Sequence, residues 1–264
     1  MSHANWTVYL LEGIVVSLIL YKILSARAGK KLFIRRIPGL SAIDEAVGRA
    51  TEMGRPMLYS TGLGGLDIVS LQSLSILSHI IKVAAKYRAR IIVPTADALL
   101  YTIAEETAKD AYESEGAGEA FNPDDVQYLS GDQFAYASGV VGILNRERVS
   151  AAFYFGNFFA ESLILAENGQ QVGAIQVAGT PCITQIPFFI ASCDYTIIGD
   201  EYYAASAYLS REPTLLGSLV GQDYAKAIII IVILLGIISV STIAVSTVPF
   251  LETILLRFIG AFKG

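Results

Sequence analysis

The feature that most constrains this chain is a run without a single charge, from Ala227 to Phe250. It is dominated by Ile, Val and Leu, and it exceeds the roughly 20 apolar residues that cross a ~30 Å hydrocarbon core. A helix buried in a soluble core is seldom that long without a charge. Ser239, Ser241, Thr242, Ser246 and Thr247 are mild costs, because a hydroxyl can bond back to a helix carbonyl. The run therefore reads as a C-terminal transmembrane helix.

A second apolar segment runs from about Trp6 to Leu24 and is interrupted by Glu12. Its uninterrupted part, Gly13 to Tyr21, is too short to span alone. It spans only if Glu12 lies near one interface, beside Trp6 and Tyr9, with Lys22 snorkelling at the other end. A cleaved signal peptide is the competing reading. It would need a basic start and a small-x-small cleavage site. The first five residues carry no Lys or Arg, and Ser25-Ala-Arg-Ala28 fits such a site poorly.

Charge gives these segments a direction. Lys22, Arg27, Lys30, Lys31, Arg35 and Arg36 all follow the first segment, and no acid occurs from Gly13 through Ile43. Positive-inside bias then places both termini outside an inner (cytoplasmic) membrane and the intervening region in the cytoplasm. These six residues form a collar suited to anionic lipid head groups. From Ile37 to Tyr224 the balance reverses, with ten Lys and Arg against twenty-two Asp and Glu. Nucleic acid is an unfitting partner for such a body. Beyond the second span, Leu251, Ile254, Leu255, Phe258, Ile259 and Phe262 share one helical face. That tail either lies in the interface or extends the span.

The expected organisation is an anchor over residues 1–25, a basic linker over 26–40, a cytoplasmic domain over 41–222, a span over 223–250 and an amphipathic tail over 251–264. Within the domain, short β-rich runs alternate with helical patterns. Strands are expected at 57–60, 90–93, 126–129, 150–155, 173–177 and 195–198. Helices are expected at 41–53, 68–87, 96–114, 132–146, 158–167, 201–210 and 213–220, while 188–192 is ambiguous. Alternation of this kind predicts an α/β, Rossmann-like domain, with a mainly parallel sheet and helices on both faces.

No catalytic constellation stands out. Gly62, Gly64 and Gly65 follow the first strand and resemble a phosphate-binding turn. The third glycine of the dinucleotide fingerprint is replaced by Asp67, and a Gly-Lys-Ser or Gly-Lys-Thr motif is absent from the sequence. Thr95, Asp97, Ser130, Asp132, Asn157, Glu161, Thr180 and Thr184 fall at strand ends, where doubly wound sheets bind ligands. They are also ordinary helix caps. The weak ligand set is Gly62, Gly64, Gly65, Asp97, Asn157 and Thr180. Cys182 would need a base, and His79 is the only histidine in the domain. Two cysteines and two histidines at these spacings make no metal-ligand pattern, and no cofactor is implied. Tyr202, Tyr203 and Tyr208 on a small-residue helix fit either self-association or core packing.

The words Ala42-Ile-Asp-Glu-Ala-Val-Gly-Arg-Ala-Thr-Glu-Met-Gly-Arg-Pro56, Ala205-Ser-Ala-Tyr-Leu-Ser-Arg-Glu-Pro213, Leu216-Gly-Ser-Leu219 and Gly221-Gln-Asp223 resemble an uncharacterised prokaryotic membrane family, the domain of unknown function numbered 6754. The resemblance implies a membrane-anchored α/β domain and supplies no activity, cofactor or site. Three functional readings follow. The first is a structural, scaffolding or partner-docking protein, homo-oligomeric or bound to another protein. The second is a domain that binds a nucleotide or small anion. The third is a membrane-bound hydrolase or transferase using strand-end acids such as Asp97 or Asp132.

Overall fold

The computed structural model describes residues 6–30, 38–210 and 212–246. In chain order the elements are α1 (Trp6–Arg27), α2 (Pro38–Met53), β1 (Met57–Gly62), α3 (Ile68–Ala85), β2 (Ile91–Thr95), α4 (Ala98–Ser114), β3 (Val126–Tyr128), α5 (Gln133–Glu147), β4 (Ala151–Asn157), α6 (Glu161–Gln171), β5 (Ile175–Thr180), α7 (Ile186–Ser192), β6 (Tyr195–Ile198), α8 (Glu201–Ser210) and α9 (Pro213–Ser246). They divide into two compact units: α1 with α9, and α2 to α8 with all six strands.

The larger unit is an α/β domain with one parallel sheet in the order β3-β2-β1-β4-β5-β6. Its central strands are buried on both faces, so they begin as apolar runs without polar alternation and turn polar only toward their carboxyl ends. Successive side chains still go to opposite sides. Met57, Tyr59, Phe153 and Phe155 enter the core shared with α2, α3, α4 and α8. Leu58, Ile92, Ala152 and Tyr154 enter the core shared with α5, α6 and α7. The expected parallel sheet with helices on both faces is present.

Some boundaries differ from expectation. β4 runs on to Asn157, so α6 starts at Glu161 instead of Phe158. The ambiguous apolar stretch is the short helix α7, with Pro187 in its first turn. The expected separate helix over 213–220 does not exist: α9 is continuous from Pro213, because nothing after its first residue breaks the hydrogen-bond ladder. Lys31, Arg35 and Arg36, the end of the second apolar run and the tail over 251–264 lie outside the described residues.

In the smaller unit α1 and α9 pack antiparallel. Gly217 lies against Ile23 and Gly221 against Ile19: an added Cβ would come 2.5 Å and 2.9 Å from the Cα atoms of those residues. Arg27 Nη2 donates to Thr214 Oγ1 at 3.2 Å, and the Lys22 ammonium sits 3.9 Å from the centre of the Tyr224 ring. Among the described residues three helical stretches are long and apolar enough to cross a membrane: Tyr9–Arg27, Ile68–Ala85 and Pro213–Ile238. The middle one, α3, is largely buried within the domain and serves as a core helix.

At the centre of the sheet the pairing of the parallel neighbours β1 and β4 is irregular at its carboxyl end. The register slips between Ser60 and Gly62, leaving Gly62 opposite Asn157. Gly62 has φ +74° and Gly156 has φ +150°, in the region that L side chains rarely adopt. A Cβ on Gly62 would collide with the Asn157 carbonyl, and one on Gly156 with the Thr61 carbonyl. Both obstacles are backbone, which cannot rotate aside. Gly62→Ala and Gly156→Ala should each lower stability by at least ~2 kcal/mol in denaturant unfolding of the detergent-solubilised protein. Gly48→Ala, with open space around it on α2, should change stability little or raise it by up to ~1 kcal/mol.

Candidate functional site

The chain leaves β1 and β4 toward opposite sides of the sheet, so their carboxyl ends frame the crevice where open α/β sheets bind ligands. The close approach of the two strand ends brings Gly62, Gly64, Gly65, Asp97 and Asn157 together there. The Leu63 amide donates to the Asn157 carbonyl at 2.8 Å. A Cβ on Gly64 would lie 2.8 Å from Asn157 Nδ2 and 2.9 Å from Ser70 Oγ, and one on Gly65 would lie 3.9 Å from Asp97 Oδ2. Thr180, at the end of β5, is occupied locally: its hydroxyl accepts from the Cys182 amide at 3.2 Å.

Asp67 organises this crevice. Its Oδ1 accepts from the Ser70 amide at 2.7 Å, and its Oδ2 accepts from Asn157 Nδ2 at 2.6 Å. The carboxylate thus occupies the α3 N-terminus as a bound phosphate would. The same device repeats along the edge. Asp97 caps α4 through the Leu100 amide at 2.8 Å. Asp132 caps α5 through the Phe134 and Ala135 amides. Glu161, fully buried, accepts from the Phe159 amide at 2.9 Å and from Gln133 Nε2 at 2.7 Å. Ser130 accepts from the Asp132 amide, and Thr95 bonds to the Gln127 carbonyl. These strand-end polar residues are therefore engaged within the fold, while the buried hydroxyls of Thr61 and Ser70 beside them have no partner among the described residues.

Beneath the crevice two tyrosines lock the helices to the strands. Tyr59 donates to the Ser73 carbonyl at 2.7 Å, and Ser73 donates to the Phe155 carbonyl. Tyr136 meets Ser60 Oγ at 2.8 Å and donates to the Pro94 carbonyl at 3.2 Å. Burial pushes both phenols far above their ordinary range, so they stay protonated donors. Tyr202 belongs to the core as well, donating to the Val69 carbonyl at 2.7 Å. Tyr203 and Tyr208 are partly buried against that core.

Cys182 Sγ has Thr184 Oγ1 at 3.2 Å, while His79 Nε2 has Asp44 Oδ1 at 3.8 Å, so neither serves the other. Burial pushes the Cys193 thiol far up, which keeps it unreactive. Among the described residues no group of three or more His, Cys, Asp or Glu could hold a metal ion.

What the sequence reading missed is the apolar content of the carboxyl edge. Leu66 and Ile68 follow β1, Leu99 follows β2, Phe134 follows β3, Phe159 follows β4 and Ile183 follows β5. All are exposed, Phe134 at 61%, Phe159 at 52% and Ile183 at 77%. The crossover segments of this edge contain no Lys or Arg. Arg55, Arg88, Arg90 and Arg148 all precede strands at the opposite edge. An apolar rim studded with capping carboxylates can bind a surface that is apolar and basic. It offers an anion little.

A separate groove of about 390 Å³ lies along α3, lined by Leu71, Ser75, Ser78 and His79 with Thr107 of α4 and Leu209 of α8. Burial lowers the His79 pKa, against the opposing pull of the Asp44 carboxylate. A histidine depressed in the folded state binds fewer protons than in the unfolded chain. Stability is then lost as pH falls below the unfolded value of about 6.5. The melting temperature should therefore drop between pH 7.5 and pH 5.5 by more in the wild type than in His79→Gln. Asp67→Ala, which removes a cap and strands the Asn157 amide, should cost ~1–2 kcal/mol in urea unfolding.

The family model for a domain of unknown function, DUF6754, matches residues 1–251. No curated protein matches the chain.

Proposed function

Since the chain belongs to the DUF6754 family, an uncharacterised domain, we propose from its own geometry that it is a membrane-anchored, non-enzymatic protein whose α/β domain docks a protein partner. The anchoring rests on α9. From Ile229 to Ile238 every side chain is apolar or glycine, and the large ones are exposed all round the helix. Hydrocarbon is the solvent that suits such a surface. Lys22, Arg27 and Lys30 at the end of α1 favour the cytoplasmic side for the domain, with both termini outside.

The observation that carries the docking reading is the carboxyl edge, where each of the first five strands is followed by an exposed large apolar residue and no basic one. The partner that fits is a protein surface or helix presenting Arg and Lys among apolar side chains. A nucleotide or small anion at the same crevice would meet Asp67 and Asp97 at the two helix N-termini. Acids serving as separate helix caps likewise give a hydrolase or transferase no paired acid and base.

The test is site-specific photo-crosslinking in intact cells. A benzophenone side chain at position 134 or 159 should give one discrete protein adduct of the same mass from both sites, and none from position 87 on the opposite edge. Phe134→Asp and Phe159→Asp should shift stability by less than ~1 kcal/mol, because both side chains are exposed. Leu99→Asp should abolish the adduct. Failure to crosslink at the edge, or the same adduct from position 87, would remove the docking reading.

A further inference from the structure

The groove along α3 has a direction. Its residues from that helix, Leu71, Leu74, Ser75, Ser78, His79 and Lys82, recur every three or four positions, so they form one stripe ~16 Å long. The stripe is apolar where it begins and basic where it ends. On the facing helix α4, a crossover that runs the same way, Ile103 likewise precedes Thr107. Ser75 bonds back to the Leu71 carbonyl at 3.2 Å. The half-buried hydroxyls of Ser78 and Thr107 make no hydrogen bond among the described residues, and Lys82 makes no ion pair. Positive charge gathers at this end of an otherwise acidic domain: Lys82 and Lys86 both disfavour protonation of His79. Asp44 lies 3.8 Å from His79 Nε2 and leaves Lys82 unpaired.

We propose that this groove binds a single-chain anionic lipid, a long-chain carboxylate, with its tail along Leu71, Leu74, Ile103 and Leu209 and its head on Lys82, Ser78 and Thr107. An apolar body fixed by a few polar groups is the usual make-up of a small-molecule site, and about 390 Å³ is an ordinary size for one. The unpaired ammonium selects an anion. The two free hydroxyls are donors that carboxylate oxygens accept. The stripe offers one track, so the tail is single. Lys82 stands in the last turn of α3, whereas the docking edge adjoins its first turn, so the lipid head and the protein partner occupy different ends of that helix. The inference takes from the membrane reading only the source of the lipid.

The test uses the full chain in nanodiscs of phosphatidylcholine, photolabelled with a diazirine-bearing palmitate. Label that plain palmitate displaces should map to residues 71–82 or 103–107, beside undisplaced bilayer label on α1 and α9. The corresponding fatty alcohol should label the groove about tenfold less, because it forgoes the charged contact. Lys82→Gln should weaken palmitate labelling by the same factor and leave the alcohol unchanged, and Lys82→Arg should restore the palmitate signal. Equal labelling by acid and alcohol, indifference to Lys82→Gln, or displacement by phosphatidylglycerol in the nanodisc would overturn the assignment. Label on α1 and α9 with none in the groove defeats this inference alone. Groove label with none on α1 or α9 removes the membrane reading and leaves the groove assignment standing.

Discussion

The domain depends on the irregular pairing of β1 with the end of β4. The two strands are the centre of the sheet, and from them the chain winds outward in opposite directions. Their backbones approach so closely that each needs a glycine facing the other's carbonyl, Gly62 against Asn157 and Gly156 against Thr61. That approach sets the crevice, aims Asn157 at Asp67, and places α3 where Tyr59 and Ser73 can tie it to β4. A parallel sheet buried on both faces has no water to satisfy misplaced backbone groups, so the slipped register is closed by a direct bond from the Leu63 amide to the Asn157 carbonyl.

The carboxyl edge follows from this arrangement. Every crossover places a helix N-terminus there, and this chain satisfies three of the five, those of α3, α4 and α5, with its own carboxylates. Asp67, Asp97 and Asp132 each accept from the amides that a phosphate would otherwise use. With its dipoles neutralised internally, the edge presents chiefly apolar side chains to solvent. The result is a ligand-binding architecture whose edge has the chemistry of a contact surface.

The hairpin of α1 and α9 obeys a different logic. In the membrane placement proposed for it, hydrophobic burial does not drive helices together, so association relies on close packing. Gly217, Gly221 and Ala225, four residues apart, allow it. Their spacing is visible in the chain, yet without a partner helix it is indistinguishable from a run of small residues. The antiparallel register they impose is what sets the charges of α9 beside the apolar part of α1.

Much was legible from residue order alone. Alternation of β-rich runs with helical patterns predicted all six strands and the parallel sheet, because short buried strands and amphipathic helices leave different periodicities. Gly62, Gly64, Gly65, Asp97 and Asn157 were recognisable as strand-end residues, and the crevice does gather them. Charge and length alone marked α1 and α9 as candidate spans. Three things required the tertiary structure. Whether Asp67 repels a ligand or replaces one depends on its distance to the Ser70 amide. That a side chain on Gly156 would meet the Thr61 carbonyl is visible only once the strands are paired. Phe134, Phe159 and Ile183 look like core residues in the sequence, since an apolar side chain at a strand end has the same local pattern whether the fold covers it or leaves it exposed. Local pattern determines the elements; only their packing decides which apolar side chains remain for another molecule to bury.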